Sequence, residues 1–180
     1  MRKVLIGMLV VSGLTVAAVA APREASSTKE REKLVRIARN LELNPLGFNA
    51  VHQRQWATEF IVKAPDLHLE LCEPVLHPIT DGNPNYNNQL SMQFMVSSAA
   101  FMLRHPKVKD PVKIQTAGVE GTLKAYESIL KVDKDAHFDF LDGLMQQKKD
   151  GHLENYVASI SSTCGEMAEQ APRHKHRLLP

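Results

Sequence analysis

Cysteine is scarce in this chain, charge of either sign is barely in excess, and the usual catalytic signatures are missing. Each shortage excludes something. The two cysteines, Cys72 and Cys164, form no Cys-x-x-Cys, which argues against a redox dithiol, and without Cys-x-x-Cys-His covalent haem attachment is out. Lys and Arg exceed Asp and Glu by only two, 22 against 20, and Arg2 and Lys3 account for that excess. A neutral remainder excludes a general nucleic-acid binder, which needs a strong basic surplus. There is no Gly-x-Ser-x-Gly, no His-Glu-x-x-His, no P-loop and no Gly-x-Gly-x-x-Gly. Any enzyme must then be assembled from isolated residues. Beyond residue 20 no run is apolar enough to span a membrane.

What is present begins at the first residue. Arg2 and Lys3 precede an apolar stretch at residues 4–16, and Ala18-Val19-Ala20 fits the small-residue rule for signal cleavage. The stretch is shorter than the ~20 residues of a spanning helix, so an anchor is disfavoured. Cleavage is expected after Ala20, because a cut after Ala21 would put the rigid ring of Pro22 directly behind the scissile bond. The expected location is periplasmic or secreted. No cysteine lies at the cut to carry a lipid. In an oxidising compartment two cysteines are expected to pair, which makes Cys72–Cys164 a long-range disulfide. Residues 21–170 are expected to form one helical domain. Residues 171–180 form a basic tail, with Arg173, His174, Lys175, His176 and Arg177 in a row.

The apolar spacing is helical nearly throughout and predicts an all-α bundle of about six helices. Ser26, Ser27 and Thr28 offer a cap for a helix carrying Leu34, Ile37, Ala38 and Leu41, which should stop at Asn44-Pro45-Leu46-Gly47. A second helix, residues 49–63, would bury Trp56, Ala57, Phe60 and Ile61. Residues 67–72 alternate but have no strand to pair with, so they read as an extended segment or the start of a helix. Pro74 and Pro78 then leave room only for short helical turns, and residues 81–85 read as a loop. The helix over 86–104 is apolar on nearly every side and is expected at the centre. Asp110-Pro111 should start the next, ending near Lys131. Its small residues Ala117, Gly118, Gly121 and Ala125 are expected to cross tightly over Ser97-Ser98-Ala99-Ala100. Asp133 or Asp135 is expected to cap a helix carrying Phe138, Leu141, Leu144 and Met145. A last helix after Gly151 places Leu153, Val157, Ile160, Cys164 and Met167 on one face.

Isolated residues offer some candidate chemistry. His52, Trp56 and Glu59 share one helical face, where a histidine and a carboxylate can share a proton or a metal, with His77 or His105 as conceivable further ligands. The plainer reading is an amphipathic helix with a tryptophan at the edge of its core face. Glu120 sits among closely packing residues, where burial would raise its pKa, but Lys124 one turn on points to an exposed ion pair. His174-x-His176 is a weak metal motif. Met92, Met95 and Met102 could suit Cu(I), though their spacing suits core filling. No cofactor and no resident metal are expected.

Two resemblances follow from particular residues. Gly121, Ala125, Tyr126, Leu130 and the turn at Val132-Asp133-Lys134 resemble the second half of a tetratricopeptide-type hairpin, which implies helix pairs stacked side by side. Asn44-Pro45-Leu46-Gly47, Trp56-Ala57, Ala64-Pro65-Asp66 with Cys72, Ser98-Ala99-Ala100-Phe101, and Ala117-Gly118-Val119-Glu120-Gly121 with Ala125-Tyr126 resemble a family of exported bacterial helical proteins with no assigned activity. That likeness implies export and a helical fold, and transfers no site. The expectation is a non-enzymatic exported module that holds a protein or small ligand in a groove between helices, near Trp56 or Tyr86. The alternatives are a small hydrolase or metal-dependent enzyme using His52, Glu59 or Glu120, and an envelope structural or stress factor.

Overall fold

Local chemistry starts two of the helices, the first and the fifth in chain order. In a computed structural model describing residues 25–82, 85–162 and 164, Ser27 opens α1 (Thr28–Leu43) with a capping box. Its hydroxyl accepts from the Glu30 N–H, and the Glu30 carboxylate accepts from the Ser27 N–H at 2.9 Å. Two orphan donors are thereby satisfied. α2 (Ala50–Lys63) follows the turn at Asn44-Pro45-Leu46-Gly47 and ends before Pro65. Pro65 and Asp66 form a turn, closed by the Leu67 N–H on the Ala64 carbonyl at 3.3 Å, and residues 67–72 form no regular element, with no strand among the described residues.

α3 (Glu73–Gly82) corrects the expectation of short helical turns and makes seven helices among the described residues, rather than about six. Pro74 falls in the first turn, where a missing N–H costs nothing. Pro78 removes one hydrogen bond, but Val75 and Ile79 are fully buried against Leu90 and Phe94, and that packing outweighs the loss. The helix also takes in Asp81 and Gly82, which read as loop.

α4 (Asn87–Arg104) is the shared wall of two apolar cores. Leu90 and Phe94 face one, with α3, α5 (Pro111–Leu130), α6 (Asp139–Lys149) and α7 (Leu153–Ser161). Val96, Ala99 and Ala100 face the other, with α1, α2 and Leu67. A helix between two cores needs apolar residues on most of its circumference. Met95 and Met102 pack against different cores, as gap-filling residues do, rather than lining one metal site.

The tight crossing of α4 and α5 is as expected. A Cβ added at Gly121 would lie 1.9 Å from the Ser97 hydroxyl, and one at Gly118 would lie 2.3 Å from that of Ser98. α1 lies across both helices. The Gln93 amide, nearly inaccessible, donates to the Ala38 carbonyl at 3.2 Å and to Ser97 at 2.8 Å. At the C-terminal ends of α1 and α5, Ser128 donates to the Glu42 carbonyl at 2.8 Å.

Asp110 caps α5 through the Val112 N–H, as its sequence predicts. Neither Asp133 nor Asp135 caps α6, however. Asp133 instead accepts from the Tyr86 hydroxyl (2.7 Å) and the Asp135 N–H (3.1 Å), and α6 begins only after Phe138. The Tyr126 hydroxyl organises that entry: it takes the Phe138 N–H at 2.8 Å and donates to Asp142 at 2.9 Å.

Cys72 and Cys164 are bonded, with Cα atoms 5.6 Å apart, joining the start of α3 to the chain just past α7. None of the described helices is long and apolar enough to cross a membrane. The signal segment with its Ala20 cut, Met167 and the basic tail lie outside the described residues.

Candidate functional site

α2 presents its candidates on or near the surface. His52 and Glu59 are exposed, and Glu59 pairs with Lys63 on its own helix; the hydrogen bond and charge of that lysine hold the carboxyl below its usual range. Trp56 is half-buried. Its ring stacks on Phe60 with centroids 5.3 Å apart, and the Lys33 ammonium lies 4.0 Å from its centre. Trp56 and Ile61 therefore line the edge of the core, while Ala57 and Phe60 enter it.

The residue that α2 does bury is Arg54, which the sequence did not mark. It is 8% exposed, donates to the Pro45 carbonyl at 2.8 Å, and burial pulls its guanidinium below the usual range. This bond fixes the α1–α2 turn, at whose tip Phe48 is 97% exposed.

His77 does not join the α2 pair. It sits between Asp81 (3.0 Å) and Glu73 (3.9 Å) on α3. His105 packs against Phe101 with its ring tilted by 39° and the centroids 4.6 Å apart. Among the described residues no group of three or more His, Cys, Asp and Glu is arranged to hold a metal. Tyr86 packs its ring against the first core and is tied to Asp133, whose hydrogen bond raises the phenol above its ordinary value.

Glu120 stands elsewhere, on α5, exposed and facing a groove between α1, α4 and α5. Its expected partner is taken by another helix: Lys124 pairs with Glu42 of α1 at 3.4 Å. The groove encloses a cavity of about 410 Å³. Its apolar surface comes from Val35, Ala38, Ala100, Phe101 and Ala117, and three of those five are alanines. Small side chains where three helices meet leave the space open. Arg39 and Glu42 on α1, Arg104 on α4, and Glu120 and Lys124 on α5 supply the charges. Arg39, Arg104 and Glu42 carry no signal in the sequence; of the floor alanines, Ala117 belongs to the small-residue ridge of α5 and Ala100 to the segment it crosses. This volume lies within the roughly 300–1,000 Å³ of small-molecule sites.

A smaller cavity of about 230 Å³ lies beside the segment between α2 and α3, lined by Asp66, His68, Glu70, Met102 and Gln115 among others. Asp66 is already engaged by Arg31 and by Ser26, whose N–H and hydroxyl donate at 3.1 and 3.0 Å. Gln115 donates to the Glu70 carbonyl at 2.7 Å. These contacts brace the segment against α1 and α5. Glu59 borders a third hollow, with Glu30, Trp56 and Lys63, so Glu59 and Glu120 serve different surfaces. Of the five residues singled out by sequence, only His52, Trp56 and Glu59 share a helix, and only Glu120 lines the groove between α1, α4 and α5. Comparison of the chain with protein-family models, with curated proteins and with solved structures finds no match.

Proposed function

We propose that this chain is an exported, non-enzymatic binding module whose ligand occupies the groove between α1, α4 and α5. One observation carries the reading: a cavity of about 410 Å³ with a floor of small apolar residues and charges on all three walls. Export is supported by Arg2 and Lys3, the apolar residues 4–16 and Ala18-Val19-Ala20, and the Cys72–Cys164 bond fits an oxidising compartment. The enzyme alternative needs His52, Glu59 and Glu120 to converge, and Glu59 and Glu120 border different cavities. Nothing specific favours an envelope structural role. Trp56 and Tyr86 act in this reading as supports at the core edge rather than as ligand contacts.

The test is native mass spectrometry of the untagged protein taken from its own compartment, beside Ala117→Leu, which fills the groove from α5. The polypeptide mass reports cleavage after Ala20 and the disulfide. A co-purifying small molecule present in the parent and lost in Ala117→Leu is the expected result. A molecule retained by both would move the site elsewhere, and a mass including residues 1–20 would remove the export reading.

A further inference from the structure

The charges of the groove are not equivalent. Lys124 and Glu42 already neutralise each other across its α5–α1 side. Arg104 donates its Nε to the Ala100 carbonyl at 3.4 Å and has no acid in ion-pair reach among the described residues. Among the described residues Arg39 has none either, and Glu120 has no cation in ion-pair reach. The groove thus holds two unpaired guanidinium groups against one unpaired carboxylate, over a floor of Val35, Ala38, Ala100, Phe101 and Ala117.

We infer that the ligand of this groove is a small organic mono-anion with an apolar body, its charged end held by Arg39 and Arg104. The inference rests on the groove being the binding site. A guanidinium presents a planar fork of donors and no acceptor, and it pairs best with carboxylate or phosphate oxygens. A neutral ligand would cover two charged groups without satisfying them. A cation would face two arginines. A dianion would set its second charge against Glu120. A small apolar body matches the aliphatic and aromatic part of a lining that is otherwise polar. Glu120 therefore limits the charge of the ligand and takes no part in chemistry, which gives its substitution a definite sign.

The experiment is an amide NMR titration of the disulfide-bonded protein with three probes of one shape: phenylacetate, phenylacetamide and phenethylamine. Phenylacetate is expected to shift amides of α1, α4 and α5 around the groove and to bind about tenfold tighter than phenylacetamide. Arg39→Gln and Arg104→Gln, both at exposed positions, should each weaken it about five- to tenfold. Glu120→Gln should tighten it by roughly two- to fivefold by removing a like charge. If phenylacetamide or phenethylamine fills the groove as well as phenylacetate, the anion inference fails and the groove remains a site. Phenylacetate binding that ignores both arginine substitutions also overturns it. If none of the three probes shifts groove amides, the ligand class and the groove reading fall together.

Discussion

Arg54 illustrates how a charged side chain becomes structural. Its side chain is almost wholly buried while one Nη group holds the Pro45 carbonyl. Arg54→Ala should destabilise the fold by about 2–4 kcal/mol, read from urea unfolding, because it leaves a cavity and a buried carbonyl without its partner. Phe48, at the tip of the same turn, contributes no burial, and Phe48→Ser should leave the unfolding midpoint nearly unchanged. Tyr126 supplies a pH signature. Burial, together with the Asp142 and Asp139 charges and against the opposing Phe138 N–H, pushes its phenol from 10.0 up to about 12. The native state therefore keeps a proton that the unfolded state loses near pH 10. Stability from this group is complete below pH 10 and declines as pH rises toward about 12. Tyr126→Phe should flatten that alkaline limb while costing about 1–2 kcal/mol at neutral pH, since the Phe138 N–H loses its acceptor.

Among the helices, glycines of one residue type carry opposite consequences. Gly118 lies under Ser98 and Phe94, where a Cβ would sit at 2.3 and 2.8 Å; Gly143 on α6 has nothing within 4 Å. Gly118→Ala should therefore destabilise by about 1–3 kcal/mol despite its better helix propensity. Gly143→Ala should stabilise by roughly 0.5–1 kcal/mol, both measured by chemical denaturation. The contrast also marks what sequence can convey. A cap among Ser26, Ser27 and Thr28, and Asp110 with Pro111, are legible because each start signal acts within four residues; the part of Glu30 in the capping box is added by the structure. The small ridge on α5 was legible because it repeats at helical spacing. α3 was not, since two prolines argue locally against a helix that packing of Val75 and Ile79 sustains. The start of α6 was misjudged because Asp133 answers to Tyr86, 47 residues earlier. Lys124 was assigned to Glu120 by helical spacing, yet Glu42 on a different helix takes it. The groove was equally hidden, being built from three helices whose adjacency no single segment announces.

In the whole molecule, two cores meet at α4, but the disulfide ties down only one of them, through Cys72 and Cys164. Closing a loop with a sequence separation of 92 removes unfolded-state entropy worth up to about 4–5 kcal/mol. Reduction should lower the melting temperature, with the largest gain in hydrogen exchange along α3 and α7 and the smallest along α1 and α2. The order of the chain gives the shared helix a further meaning. A polypeptide emerging from its N-terminus has α1, α2 and α4 in hand by Arg104, so the second core has all its helices before α5 exists. The opposite face of α4, with Leu90 and Phe94, must wait for Val119, Leu123 and Tyr126, and Cys72 waits longest of all, an open thiol until Cys164 has been delivered.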